Sequence, residues 1–217
     1  MVDIHVIPNP GFEDNLKEVI AALTHPRIIV HQSGYVAGNL LAARLAAYRL
    51  GTNPYVSWVD GDDRVLSVTW LDHALGMLES DPTIAAVYPR WVTVKNGKRG
   101  KGSPIHEWNV DLHTSFSSVP LAHHLTIMRR SQVIGLLEEA HDAVGCLVKS
   151  ADRFYLSGIA RYGRLVALDD VAYEWHLREG TGRSHDEPLE VVNWLRKRAA
   201  QDVKLARLKQ LWPAPSM

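Results

Sequence analysis

Apolar residues in the first 60 positions fall into short runs separated by stretches with helical spacing. Ile4 to Ile7 is a brief run that stops at Pro8-Asn9-Pro10-Gly11, a strand followed by a loop. From Asp14 to Leu23 the apolar positions are Leu16, Val19, Ile20 and Leu23, the spacing of one helix face. Arg27 to His31 reads as a second strand, ending at Gln32-Ser33-Gly34. Asn39 to Leu50 is an Ala- and Leu-rich helix closed by Gly51. Tyr55-Val56-Ser57-Trp58-Val59, bounded by Gly51-Thr52-Asn53-Pro54, reads as a short buried strand. Strand, helix, strand, helix, strand predicts a parallel sheet covered by helices.

The same patterning continues beyond residue 60. Trp70 to Glu79 predicts an amphipathic helix closed by Ser80-Asp81-Pro82, and Ile84 to Tyr88 and Trp91 to Val94 predict strands. A poorly periodic stretch rich in Gly, His and Ser then runs to Leu125. It contains the cationic loop from Lys95 to Gly102, in which Asn96-Gly97 is a strong hairpin-turn signal. Four cations on a Gly-rich loop usually mark a solvated, mobile tip, while a loop of that length inside a compact domain suggests a substrate lid or an acceptor-binding segment. Leu125 to Met128 reads as a strand leading to Ser131, which is placed to cap a helix over Gln132 to Glu139. A helix from Asp152 to Tyr162 ends at Gly163, followed by strands over Leu165 to Leu168 and Val171 to His176. Leu189 to Leu211 reads as one helix. The expected organisation is an α/β domain over residues 1–185, with a mostly parallel Rossmann-type sheet, and an amphipathic basic helix and tail over 186–217.

Bulk properties narrow the function classes. The hydrophobic fraction of 46% and charged fraction of 22% are ordinary for a globular chain. Lys and Arg together balance Asp and Glu, so no whole-protein field argues for nucleic acid, and any such binding must come from a local patch. The single cysteine, Cys146, excludes an intramolecular disulfide framework and fits a reducing compartment. Its neighbours Ala143-Val144-Gly145 and Leu147-Val148 favour an inert thiol. Met1 to His5 has neither a basic leader nor an apolar signal core, and no apolar run approaches the roughly 20 residues that span a bilayer. A soluble cytoplasmic protein is expected.

The densest chemistry lies where the Tyr55 strand runs into Asp60-Gly61-Asp62-Asp63. Three carboxylates at the C-terminal edge of a strand occupy the place where open α/β sheets bind ligands. They repel one another unless a cation sits between them, and hard oxygen donors at this density suit Mg²⁺ or Mn²⁺ holding a diphosphate. The competing reading is a polar turn whose Asp residues cap the next helix.

The order of segments resembles a family 2, GT-A-fold, nucleotide-sugar-dependent glycosyltransferase. The resemblance rests on Ala42-Ala43-Arg44, the turn at Gly51 and Pro54, the strand Tyr55 to Val59 and the Asp-x-Asp-Asp motif at Asp60 to Asp63. It continues through the helix Leu71 to Leu78, Asp81-Pro82, the strand Ile84 to Tyr88, then Asp152, Gly163, Val166 and Tyr173 to Arg178. It covers roughly residues 2–185. It implies an inverting sugar transfer to an acceptor hydroxyl, with Mn²⁺ or Mg²⁺ and a nucleoside-diphosphate sugar, UDP-linked by default. It places metal ligands at Asp62, Asp60 and His176, with Asp60 also reaching the ribose. Asp152 is the general base, and Pro8, Asn9, Arg44, Arg178 and Arg183 line the nucleotide, the arginines suiting phosphate oxygens. His123-His124 are weaker metal candidates, since adjacent strand residues point to opposite faces.

This chain departs from the family pattern in three places. Ala151 precedes Asp152 where an acidic pair is usual; Pro8-Asn9-Pro10 stands for Pro-x-Tyr-Asn; and His31-Gln32-Ser33 replaces the Asp that reads uracil. The acceptor is expected to be a saccharide or lipid-linked saccharide. The C-terminal helix carries Arg196, Lys197, Arg198, Lys204, Arg207 and Lys209 beside Trp194 and Trp212; this reads first as a docked helix with a solvated basic face, and otherwise as a surface for an anionic membrane or nucleic-acid phosphates. With the Lys95 to Lys101 loop it raises an alternative, a phage-type transferase acting on hydroxymethylated bases of DNA. Two further classes compete: a GT-A-fold binding module that has lost catalysis, motivated by Ala151 and the missing base-reading Asp, and a nucleotidyltransferase, which lacks support because no Gly-rich phosphate loop follows the first strand.

Overall fold

The computed structural model describes residues 2–8, 25–31, 40–103, 125–144 and 158–177, with positions 21, 108, 156, 197 and 201. The elements are β1 (Ile4–Val6), β2 (Ile28–Val30), α1 (Leu40–Arg49), β3 (Tyr55–Val56), β4 (Arg64–Val65) and α2 (Thr69–Ser80). They continue with β5 (Ile84–Lys95), β6 (Lys98–Gly102), β7 (Ile127–Arg129), α3 (Arg130–Val144) and β8 (Arg164–Leu177). The helix expected over Asp14 to Leu23, most of the Asp152 to Tyr162 helix and most of the C-terminal helix lie outside the described residues.

The α/β class is as expected, and the sheet is mixed. β1 and β2 form a parallel pair, as the opening pattern implies. β3 does not extend that ladder. It joins a six-stranded sheet of order β3-β7-β5-β8-β4, with β6 on β5. Within that sheet only β5 and β8 run parallel. Asp3 links the two sheets, accepting hydrogen bonds from Arg27 Nη1 and from Asn53 Nδ2 just ahead of β3, both at 2.9 Å.

Alternation along the strands builds a layer of side chains on each side of this sheet. Ala86 opposite Met128 and Leu165 faces α1 and α3, and packs with Leu45, Tyr48, Val133, Leu136 and Leu137. Val87 opposite Ile127 and Val166 faces α2, and packs with Trp70, Ala74 and Leu78. Trp70, Ala74 and Leu78 recur every fourth residue on one stripe of α2, and all three are buried. At the end of α1 the Arg130 guanidinium donates to the carbonyls of Tyr48 and Leu50, acceptors that a helix C-terminus leaves open, and to that of Asn53 just ahead of β3.

Three local expectations change. The strands expected at Ile84 to Tyr88 and Trp91 to Val94 are one strand, because a register shift at Tyr88/Arg90 accommodates Pro89, which has no N–H for a ladder. The cationic segment is a strand, β6, rather than a loop. Asn96 and Gly97, both in the left-handed region at φ 51° and 70°, close the hairpin. Ser131 is not a cap, since α3 starts directly at Arg130.

Candidate functional site

The segment from Ser57 to Asp63 leaves β3 at one edge of the sheet and delivers β4 to the other. Its course is fixed by a few bonds. Leu125 N donates to Trp58 O at 2.7 Å, and Asp63 N donates to Asp60 O at 3.1 Å, closing the acidic turn. β4 then pairs with β8 through Arg64 opposite Glu174 and Val65 opposite Tyr173. The acidic turn is thereby set against the C-terminal end of β8.

The three carboxylates have different surroundings. Asp60 is half-buried, and its Oδ1 accepts the indole N–H of Trp58. Asp63 is also half-buried. Its Oδ2 accepts the Tyr173 hydroxyl, and its Oδ1 accepts the His176 backbone N–H at 2.8 Å. Asp62, between them, is exposed. Asp63 therefore caps no helix: it clasps the turn to β8. The Tyr173 phenol is pushed far above its ordinary pKa, first by burial, then by its bond to Asp63 and the negative charges of Asp63 and Asp60. It stays a protonated donor at any working pH.

Trp58 is itself held. The Arg44 guanidinium lies 5.2 Å from its ring centroid, and Tyr48 meets it edge-on at 6.4 Å. Arg44 and Tyr48 are one turn apart on α1, and each is only 2% exposed. On the far side of β8, Val94 of β5 lies opposite both His176 and Arg99 of β6, so these three share one face of the sheet. Glu174 lies on that face too and is nearly buried, with Arg99 Nε 3.9 Å from its carboxylate.

The structure thus brings Asp60, Asp62 and His176 to one end of the sheet and connects Arg44 to Asp60 through Trp58. Pro8 is buried just past β1. Asn9, Asp152, Arg178, Arg183, Cys146 and His123-His124 lie outside the described residues. Among the described residues, no three His, Cys, Asp or Glu side chains converge as a metal cage. Two hard carboxylates on one turn still suit Mg²⁺ or Mn²⁺, which commonly take one or two protein oxygens and complete their shell with phosphates and water. Also among those residues, no helix is long and apolar enough to cross a membrane. Sequence reasoning missed Trp58 and Tyr173 as partners of the acidic turn. The signal available was an aromatic N–H or O–H two residues before, or within, a segment already marked for chemistry.

No family model and no curated protein sequence matches this chain. The solved structures do supply a likeness. The crystal structure of Staphylococcus aureus TarS 1–349 in complex with UDP-GlcNAc matches with a TM-score of 0.65 at 17% identity, covering 94% of this chain and 61% of that one. TarS 1–349 without the ligand matches with a TM-score of 0.56 at 15% identity, over 80% of this chain and 51% of that one. A further TarS structure matches with a TM-score of 0.57 at 16% identity, over 99% of this chain and 35% of that one. The chain thus has a fold similar to that of the TarS glycosyltransferase while spanning less than two thirds of those chains.

Proposed function

We propose that this protein is a nucleotide-sugar-dependent glycosyltransferase that inverts configuration at the transferred sugar. The observation that carries the reading is the acidic turn Asp60–Asp63, clasped to the end of β8 beside His176, in a fold similar to one solved with UDP-GlcNAc. Asp62 and Asp60 would hold Mn²⁺ or Mg²⁺, with His176 beside them. That ion would offset charge gathering on the departing diphosphate. Arg178 and Arg183 would neutralise phosphate oxygens, and Pro8 and Asn9 would border the nucleotide. Asp152 would take the proton of the acceptor hydroxyl as its oxygen bonds to the anomeric carbon. The bond from that carbon to the diphosphate breaks on the opposite face, and the nucleoside diphosphate leaves with the electron pair.

The acceptor in this reading is a saccharide or lipid-linked saccharide. One observation favours a second reading, DNA carrying hydroxymethylated bases. Lys95, Lys98, Arg99 and Lys101 are all exposed on the β5–β6 hairpin, with no acidic residue between Trp91 and Gly102. The shared register of Val94, His176 and Arg99 sets that hairpin about two strand spacings, roughly 10 Å, from the strand that holds the acidic turn. Cations on an edge strand also discourage edge-to-edge pairing, so binding must be measured.

The test is a thermal-shift panel of nucleotide sugars with and without Mn²⁺, followed by an assay for released nucleoside diphosphate. A donor that binds the native protein raises Tm by mass action. The shift should require the metal and vanish in Asp62→Ala, and turnover should vanish in Asp152→Asn with binding retained. Absence of any shift across the panel would refute the donor site. Binding without turnover in the presence of candidate acceptors would leave a binding module.

A further inference from the structure

We propose that Trp58 is a positioning residue that sets the orientation of the Asp60 carboxylate, and that Arg44 acts on the donor site through Trp58 rather than by touching the donor. The inference rests on the glycosyltransferase reading for its role and on geometry for the contact. Trp58 and Asp60 lie two apart in a segment that has left the β3 ladder, so no strand pairing fixes the Asp60 side chain. The indole N–H orients it by donating to Oδ1. The indole in turn cannot swing. Arg44 covers its face, Tyr48 abuts it edge-on, and the Trp58 carbonyl is pinned by Leu125 N.

A phenylalanine at position 58 would keep most of this packing and orient nothing, because it has no donor. The arrangement matters for a turn that must present oxygens to a cation. A carboxylate already held by an N–H does not have to be ordered when metal and diphosphate arrive, and partners that orient metal ligands typically change metal affinity by about 10-fold to 100-fold. Arg44 contributes twice. Its charge lies over the electron-rich indole face, and it fills a buried position that stops the ring from rotating. The short stretch from α1 to the acidic turn thus runs guanidinium, indole, carboxylate.

Two measurements on the full chain test the proposal. The chain has seven tryptophans, so ¹⁵N labelling gives seven indole N–H resonances, and Trp58→Phe identifies the one that belongs to Trp58. That resonance should lie downfield, move in Asp60→Asn and in Arg44→Lys, and stay in place in Asp62→Asn. The Asp60→Asn arm needs no change at Trp58, so it stands even if Trp58→Phe folds poorly and the resonance is assigned through the backbone. The second measurement is Mn²⁺-dependent binding of the donor by calorimetry. Trp58→Phe should weaken it on the order of tenfold or more, with far-UV circular dichroism unchanged. A Trp58 resonance indifferent to Asp60→Asn overturns the contact, and wild-type donor affinity in a folded Trp58→Phe overturns its positioning role. Wild-type protein that binds no donor overturns the glycosyltransferase reading itself, while the resonance shifts still report whether the indole holds Asp60.

Discussion

Asp63 is the carboxylate whose removal should damage the fold rather than the chemistry. It accepts two hydrogen bonds from β8, one from a phenol that is 0% exposed and one from the His176 amide. A hydrogen bond to a charged acceptor contributes about 1.5–3 kcal/mol, so two would give about 3–6 kcal/mol if no water replaced them. Asp63 is only half-buried, so water can reach the His176 amide in the mutant, whereas the Tyr173 hydroxyl would be left in the core. The expected cost of Asp63→Ala is therefore about 2–4 kcal/mol, mostly the unsatisfied phenol. For a chain of this size that corresponds to a fall in Tm of roughly 5–15 °C. Asp63→Asn should cost less, because its carbonyl can still accept one bond and Tyr173 can rotate to accept from the amide.

Urea unfolding of Asp63→Ala, Tyr173→Phe and the double mutant would measure this directly. The double mutant should be less destabilised than the sum of the singles by about 1–2 kcal/mol, since both remove the same bond. If Asp63→Ala lies within about 0.5 kcal/mol of wild type, Asp63 is not the clasp described here. If the singles simply add, the phenol and the carboxylate are not partners.

Other consequences are equally measurable. A Cβ at Gly163 would sit 2.2 Å from Thr83 O, which Arg164 N holds at 2.8 Å, so neither backbone can withdraw freely. Gly163→Ala should cost about 3 kcal/mol or more, and a Tm within about 2 °C of wild type would contradict the packing of α2's end on β8. His5 is held below its ordinary pKa by burial, then by His31 and Arg130, against the opposing pull of Asp3. Its neutral form is favoured in the folded state, so the unfolded chain binds more protons as pH falls below about 6.5. Stability should drop with acidification across that range, and His5→Gln should flatten the Tm–pH curve; an unchanged slope would remove His5 as a contributor. If DNA is the acceptor, log affinity for duplex DNA should fall linearly with log salt, and Lys98→Ala with Lys101→Ala should lower that slope by about one per lysine. An unaltered slope would remove the hairpin from the interface.

What the sequence made legible was local. The period of Trp70, Ala74 and Leu78 specifies α2 without reference to anything else, and Asn96-Gly97 specifies its own turn. β4 was illegible because two residues, Arg64 and Val65, become a strand only by pairing with β8, more than 100 positions later. β5 read as two strands because Pro89 interrupts the pattern, and only β8 alongside it shows where the register slips to absorb the proline. At the site, the cluster Asp60, Asp62 and Asp63 was evident as a concentration of charge. Its division was not, because the deciding partners, Tyr173 and His176, lie 110 and 113 positions away.

That division bears on what a metal would do in the proposed donor site. Three adjacent carboxylates with no partners would need a cation merely to coexist. In this structure the indole of Trp58 serves Asp60, and a phenol and an amide serve Asp63; Asp62, between them, lies at the surface. The turn is thus already stabilised by the protein, and in the proposed donor site a cation would serve the ligand rather than the fold. Chelation with EDTA should then leave the Tm of the ligand-free protein within about 2 °C of its value in Mn²⁺, while Mn²⁺ and a bound donor together should raise it. A large loss of Tm in EDTA alone would mean that the metal holds the turn together, and the clasp by Trp58 and Tyr173 would then be insufficient to explain it.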